Sequence, residues 1–405
     1  MSENIARKGY QSVALDVRER IAGGEFADGD RLPTVRDLAK EYETTTVTVS
    51  NALKELDREG IIERKAGSGV FVRSLDNIGF PLNDLRRIFM DILDNDGAEA
   101  FEYESSDGFS GLKDVVKERS GLDFKDREVL ITSGSQQGLH LIFDSMLKYG
   151  DWVLVEEPTY PAALRLLNEI GARIETVPMT DDGPDLRELK RIFRSRPLRM
   201  AYLMPRYQNP TGVCYNDKTL KLIAQLASEN GVYIVEDNSF GELEFDDRKR
   251  KRLSQMVDSS RHFILSSFSK TFLSGARIGY CLSPSDRFDR LLKTKLDVDI
   301  SSSGFFQRVL TRYIKSGNYD QRLEKLSLEA QKSYAGAFTK LTNLLKADDV
   351  KIMKGRGGYS FWIETLNDPF KSQILEKIKQ SGFMVDSGEN FCNNKSDNKY
   401  CVRYV

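Results

Sequence analysis

With 405 residues, 40% of them hydrophobic and 30% charged, the chain is long enough for about two or three domains and a substantial core. Its net charge of −1 argues neither for nor against a nucleic-acid partner. Four scattered cysteines (Cys214, Cys281, Cys392, Cys401) without a CxxC pair argue against a disulfide framework or a zinc site. Only two histidines, His140 and His262, argue against a multi-histidine metal centre, and both read as ordinary, partly buried residues. The N-terminal MSENIARKGY lacks the apolar core of a signal peptide, and no apolar run approaches the ~20 residues of a membrane span. A cytoplasmic protein is expected.

Residues 10–73 read as short helices followed by a hairpin. Val13, Leu15, Val17 and Ile21 recur at roughly helical spacing over Tyr10–Ala22, and Gly23-Gly24 ends the run. In LPTVRDLAKEY, Thr34 followed by Asp37 approximates a capping box for a second helix. After a turn at Glu43-Thr44, TTTVTVSNALKELDREG places Val49, Ala52, Leu53 and Leu56 on one helical face and stops at Gly60. IIERKAGSGVFVR then gives two short β runs around Ala66-Gly67-Ser68-Gly69. Helix, helix, turn, helix and β-wing make a winged helix-turn-helix pattern.

The stretch LPTVRDLAKEYETTTVTVSNALKELDREGIIERKAGSGVFV resembles, over its whole length, the DNA-binding domain of GntR-family bacterial repressors. The resemblance implies double-stranded operator DNA as a partner, with the helix from about Thr45 in the major groove. Thr45, Thr46, Thr48 and Ser50 are then groove candidates, and Arg36, Lys65 and Ser68 candidates for phosphate or wing contacts. Thr46 and Ser50 stand where members often carry arginines, and residues 1–75 hold about a dozen charges of each sign. Salt-sensitive binding that depends on a dimer is therefore expected. A winged helix used only for protein contacts is the alternative.

Residues 74–82, SLDNIGFPL, read as a linker running into an amphipathic helix, LNDLRRIFMDIL. Beyond it, apolar strands alternate with amphipathic helices: EVLITSG with SQQGLHLIFDSML, DWVLVEE with AALRLLNEI, RMAYLMP with KTLKLIAQLASEN, then VYIVED and HFILSSF. This alternation predicts an α/β domain with a mostly parallel sheet and flanking helices. From about Ser283 long helical patterns lead to a small C-terminal α+β section containing GRGGYSFWIE. The chemistry-bearing residues fall at the ends of predicted strands, where α/β sheets bind ligands. SGSQQG can seat a phosphate on a helix N-terminus, although a plain tight turn reads equally well. Asp237 ends VYIVED, where a cap or loop acid is the commoner role. SSFSKTFLSGARIGY sets Lys270 among Ser267, Ser269 and Arg277, which suits a lysine forming an imine with a phosphorylated aldehyde.

Taken jointly, these segments resemble the fold-type I aminotransferases, which use pyridoxal 5′-phosphate (PLP), over about residues 80–405. The resemblance implies Lys270 as the aldimine lysine, with Ser135, Gln136, Ser267, Ser269 and Arg277 around the phosphate. It further implies Tyr160 of EEPTYP stacked on the pyridine ring, Asn209 of QNPTG bonded to the 3′ oxygen, and Asp237 on the ring nitrogen. Tyr103 aligns with a tyrosine that reaches a neighbouring subunit's phosphate, and Arg403 with the arginine that binds a substrate α-carboxylate. The chain as a whole is similar to MocR-type regulators. It reads as a winged helix domain over 1–73, a linker over 74–82 and an aminotransferase-like domain over 83–405, the latter with a large part near 100–282 and a small part near 283–405. The resemblance implies a homodimeric transcription regulator that binds PLP and senses PLP or a small amine or amino-acid effector. The alternative is a working aminotransferase with a fused DNA-binding domain; a third reading is a cofactor-free dimerisation scaffold.

Three departures point toward sensing rather than efficient turnover. Phe240 stands where a tyrosine hydroxyl usually bonds the ring's 3′ oxygen, and losing that bond shifts the aldimine pKa upward. The linker skips a glycine-containing segment that helps close over substrate. The sequence also stops two residues after Arg403, where relatives continue through a final helix, so that either the sequence is truncated there or the pocket is expected to be less covered. Finally, the basic run Arg248-Lys249-Arg250-Lys251-Arg252 reads as a solvated loop or as an extra DNA-backbone contact.

Overall fold

The computed structural model describes the chain apart from residues 1–8, 23–24, 27–29, 59–60, 66–68, 73–80, 241, 247, 346–349, 366–370, 394–398 and 405. It divides into two compact units, residues 1–91 and 92–405. In the first, α1 (Tyr10–Ala22), α2 (Val35–Glu41) and α3 (Thr46–Arg58) precede an antiparallel wing, β1 (Ile62–Lys65) and β2 (Gly69–Val72). The apolar stripe read from the sequence is the core of this unit, with Val13, Val17, Ile21, Val49, Ala52, Leu53 and Leu56 all buried. Leu15 is the exception, 50% exposed, because it falls off the face that α1 turns to α3. Thr34 caps α2: its Oγ1 accepts from the Asp37 N–H at 3.2 Å and donates to Asp37 Oδ2 at 2.6 Å. The carboxylate thus takes the cap's hydroxyl, where a full capping box would take its backbone N–H. Residues 30–32 extend the wing, with Leu32 N–H bonded to the Val70 carbonyl and Val72 N–H to that of Asp30. Gly69 makes room for this strand: at φ +126°, a Cβ would stand 2.7 Å from Arg31 Nε. The stops at Gly23-Gly24 and Gly60, the turn at 66–68 and linker residues 74–80 lie outside the described residues.

The helix read from LNDLRRIFMDIL is α4 (Leu82–Asn95), followed by α5 (Ser110–Ser120). The large sheet takes β3 (Arg127–Thr132), β4 (Trp152–Glu157), β5 (Arg173–Thr180), β6 (Gly183–Pro184), β7 (Leu198–Leu203), β8 (Tyr233–Asn238), β9 (His262–Ser267) and β10 (Gly279–Pro284). Their spatial order is β3-β10-β9-β8-β7-β4-β5-β6. Six strands run one way, while β10 is antiparallel to both its neighbours and β6 forms a short antiparallel edge. The alternation of segments did not reveal β5 or β10. Helices α6 (Ser135–Met146), α7 (Pro161–Ile170), α8 (Leu186–Ser195), α9 (Asp217–Asn230) and α10 (Ser285–Val298) flank the sheet. The central strands read as unbroken apolar runs because both of their faces are covered. Met200 and Tyr202 of β7 join Leu139, Ile142, Phe143 and Leu291 on one side, and Ala201 and Leu203 join Leu189, Ile192, Leu220 and Ile223 on the other.

The long C-terminal helices are α11 (Gly304–Lys315) and α12 (Asn318–Leu344). They lead to a four-stranded antiparallel sheet, β11 (Val350–Ile352), β12 (Ser360–Thr365), β13 (Met384–Ser387) and β14 (Lys399–Arg403), in the order β11-β12-β14-β13. Helix α13 (Lys371–Gln380) packs on it through Ile374 and Ile378. Among the described residues no helix is long and apolar enough to cross a membrane. The four cysteines are free and buried. His140 is partly buried as expected, whereas His262 is wholly buried, its Nε2 3.1 Å from Glu236 Oε2.

Candidate functional site

The C-terminal ends of the large sheet's strands open on a cavity of about 1090 Å³. Ser135 and Gln136 after β3, Tyr160 after β4, Asn209 after β7, Asp237 in β8, and Ser267, Ser269, Lys270 and Arg277 around the end of β9 all line it, as does Arg403 from β14. Of the cofactor and effector candidates read from the sequence, Tyr103 alone is absent from the lining; it is 83% exposed, between Phe101 and α5.

One side of the cavity is an anion cradle. Helix α6 starts at Ser135 with Gly134 as its cap, leaving its first backbone N–H groups free for a ligand. Gly134 has φ +98°, and a Cβ there would stand 2.7 Å from Arg277 Nη2, so glycine lets the guanidinium approach the helix end. Arg277, at φ +52°, donates to the Ser133 carbonyl at 3.3 Å and to Ser269 Oγ at 3.4 Å. The hydroxyls of Ser267 and Ser269 lie 3.0 Å apart, and those of Ser239 and Ser135 3.3 Å apart. Hydroxyls, a guanidinium and a helix N-terminus at one place suit a phosphate.

Deeper in, Asp237 is 6% exposed and has no ion-pair partner among the described residues. It accepts from Ser239 N–H at 2.9 Å, from Ser239 Oγ, and from the Tyr202 hydroxyl at 2.7 Å. Burial pushes its pKa up, against those hydrogen bonds. A buried carboxylate without a cation is costly unless a ligand supplies one. Lys270 also lacks an ion-pair partner among the described residues; its Nζ lies 5.1 Å over the Tyr359 ring, and desolvation lowers its pKa. That favours the neutral amine a nucleophile needs.

Asn209 sits in a turn held from behind. Wholly buried Glu156 accepts from Met204 N–H at 2.8 Å, from Gln208 Nε2 at 3.0 Å and from the Tyr215 hydroxyl, and burial pushes its carboxyl up to about 7. Gln208 Oε1 in turn accepts from Thr211 N–H at 3.0 Å and Thr211 Oγ1 at 2.6 Å, closing the turn around Asn209-Pro210. Phe240 fills an aromatic slot, with ring centroids 6.3, 6.0 and 5.8 Å from Tyr207, Phe245 and Tyr359. Sequence reasoning missed Tyr202, Ser239, Tyr359, Asp386 and the Glu156–Gln208 pair. The one signal available was a tyrosine and two acids inside otherwise apolar strands. The cradle, the cation-seeking carboxylate and the unpaired lysine together fit the phosphate, ring nitrogen and aldehyde of PLP.

In the first unit, Arg36, Thr45 and Thr46 are exposed, whereas Thr48 and Ser50 are partly buried. Thr48 donates its N–H to Thr45 Oγ1 at 3.1 Å, and the two hydroxyls lie 2.8 Å apart, so this pair caps α3. Val47, 67% exposed at the same helix end, is an apolar group that the sequence reading did not include and that suits a thymine methyl. The side chain of Lys65 and the whole of Ser68 lie outside the described residues. In the second unit, three of the five basic-run residues contact the protein itself. Arg250 pairs with Asp246, Lys251 lies 3.0 Å from Asp217, and Arg252 donates to the Ser120 carbonyl at 3.4 Å.

Fold and pocket together define the class: a winged helix-turn-helix unit joined to a PLP-type aminotransferase unit. Residues 9–72 match the gntR family of bacterial regulatory proteins, and residues 78–391 match aminotransferase class I and II. The chain belongs to the aminotransferase class I and II family and carries a gntR-family domain ahead of it. It is 30% identical to aromatic-amino-acid aminotransferase 1 of Thermococcus litoralis over 77% of each chain. It is 26% identical to the uncharacterized HTH-type transcriptional regulator YdfD of Bacillus subtilis, over 96% of this chain and 91% of that one. Among solved structures, kynurenine aminotransferase of Pyrococcus horikoshii in complex with PMP superposes with a TM-score of 0.73 at 28% identity, covering 81% of this chain and 83% of that one.

Proposed function

We propose that the chain is a DNA-binding transcriptional regulator that holds PLP at Lys270 and alters its DNA binding when a small amine or amino acid enters the same pocket. The observation that carries this reading is the co-occurrence, on one chain, of a gntR-type unit and a pocket whose anion cradle, buried carboxylate and lysine suit PLP. When bound, PLP supplies an electrophilic carbon attached to an electron-withdrawing ring. Lys270 would provide the amine that anchors it, and Asp237 would keep the proton on the ring nitrogen. Tyr160 would cover the ring, Asn209 would donate to the 3′ oxygen, and Arg277 with Ser135, Gln136, Ser267 and Ser269 would grip the phosphate. Exposed Tyr103 leaves a tyrosine free to serve a second copy, so the working form is a homodimer placing two winged helices on adjacent half-sites in the cytoplasm. On DNA, Thr45, Thr46 and Val47 would face base edges and Arg36 a phosphate, with Thr48 and Ser50 set further back.

Coupling requires that the ligand favour one arrangement of the dimer over another. The deciding experiment is a DNA mobility-shift assay on the gene's own upstream region, with and without PLP, for the wild type and Lys270→Ala. A wild type that never shifts this DNA would refute the regulator reading. A second reading, an active aminotransferase, is favoured by the presence of every cofactor group except the hydroxyl missing at Phe240. Steady multiple turnover with an amino acid and a 2-oxo acid would establish it instead.

A further inference from the structure

The small sheet already supplies a carboxylate to Arg403. Strands β13 and β14 pair with Met384 opposite Arg403 and Asp386 opposite Cys401, so Asp386 and Arg403 are diagonal neighbours on one face. Asp386 Oδ2 lies 2.7 Å from Arg403 Nη2, and both residues line the pocket. Because strand register sets this pair, it is built into the sheet and is not a chance meeting of two long side chains. Of the pocket's other arginines, Arg206 is tied to Glu244, and Arg277 donates to the Ser133 carbonyl and to Ser269 Oγ in the anion cradle. Arg165 is carried by α7, the helix that follows Tyr160. A further carboxylate, Glu389, lines the same cavity and has no ion-pair partner among the described residues.

A guanidinium binds a carboxylate best through one bidentate fork. Here an incoming α-carboxylate must displace Asp386, leaving that charge unpaired beside it and near Glu389. Resting on the functional reading above, we propose that Asp386 is a specificity-determining residue: the pocket accepts small primary amines without an α-carboxylate and disfavours the matching α-amino acids. The amine end still meets the cofactor at Lys270. What changes is the wall that receives the rest of the ligand.

The test titrates PLP-loaded full-length protein with two matched pairs, butylamine against L-norvaline and 1,4-diaminobutane against L-ornithine. The members of each pair differ only in the α-carboxylate. Binding is read by calorimetry and by the visible spectrum. The wild type is expected to bind each amine about tenfold tighter than its amino acid. In Asp386→Asn, and equally in Asp386→Ala, the amino acids gain while the amines change little, so the preference collapses. A wild type that binds L-norvaline as tightly as butylamine, one that binds neither amine, or an Asp386→Asn variant with an unaltered ratio would overturn the proposal. Protein that takes up no PLP would instead overturn the functional reading beneath it, before any ligand is added.

Discussion

Replacing Asp237 with asparagine separates what that carboxylate does for the fold from what it does for the cofactor. Among the described residues, Asp237 is a buried carboxyl without a cation, held by Ser239 and Tyr202. Asparagine is nearly isosteric. Its oxygen can keep both Ser239 bonds, and its NH₂ can donate to the Tyr202 oxygen, which changes from donor to acceptor. One hydroxyl proton then loses its partner, at about 1–3 kcal/mol, while the burial cost of a charge disappears. The pKa of Asp237 is raised by burial, so its penalty appears as pH rises through that raised value and is present in full only above it. Above that pH the PLP-free variant should therefore melt no lower than the wild type. PLP affinity should fall, because a charge-assisted bond worth about 1.5–3 kcal/mol becomes a neutral one worth about 0.5–1.5 kcal/mol, a loss of roughly tenfold. Differential scanning fluorimetry with and without PLP, together with absorbance titration, reads both numbers. A variant whose melting temperature drops equally in both states would refute the argument, since Asp237 would then be a structural residue. Unchanged PLP affinity would refute it as well.

Glu156 has a folded pKa raised to about 7, so the folded state holds a proton that the unfolded state has released, and stability falls as pH climbs from the ordinary carboxylate range through 7. The loss is on the order of 3 kcal/mol, and Glu156→Gln should flatten the difference in denaturant-unfolding free energy between pH 5 and pH 8. Phe240→Tyr restores a donor near the ring's 3′ oxygen and should lower the pH midpoint of the PLP absorption change by about 0.5–1, measured by spectrophotometric titration. An unmoved midpoint would mean that the aromatic slot formed by Tyr207, Phe245 and Tyr359 holds the new hydroxyl away. Arg36→Ala should weaken DNA binding about equally for all sequences and reduce the slope of log affinity against log salt by about 1. Sequence-selective loss would place Arg36 on a base.

Much of this architecture was legible in the sequence because it is local. Val49, Ala52, Leu53 and Leu56 declare their common face through spacing alone, and the Thr34–Asp37 cap is a contact across three residues. The cofactor groups were legible for a different reason: each ends an apolar run, and parallel strands direct those ends to one side. What stayed hidden depends on distant partners. β10 is a six-residue antiparallel strand directly after the lysine segment, and it read as the tail of that motif. Tyr202 reaches Asp237, Glu156 reaches Gln208, and Asp386 reaches Arg403 only after the strands have paired. For the basic run, read as a solvated loop or an extra DNA-backbone contact, composition cannot show that Asp246, Asp217 and the Ser120 carbonyl hold three of its members.

The cavity is walled by two different sheets. Everything that would grip PLP comes from strand ends of the large one, whereas Arg403 and Asp386 belong to the small one, and Tyr359 immediately precedes one of its strands. Anchoring and selecting are thereby assigned to separate stretches of the gene, roughly codons 133–277 and 359–403. On the proposed reading, point changes in the second stretch would retarget the ligand while leaving the residues that would hold PLP untouched. A lineage of these proteins can therefore diversify its signals without rebuilding its holder.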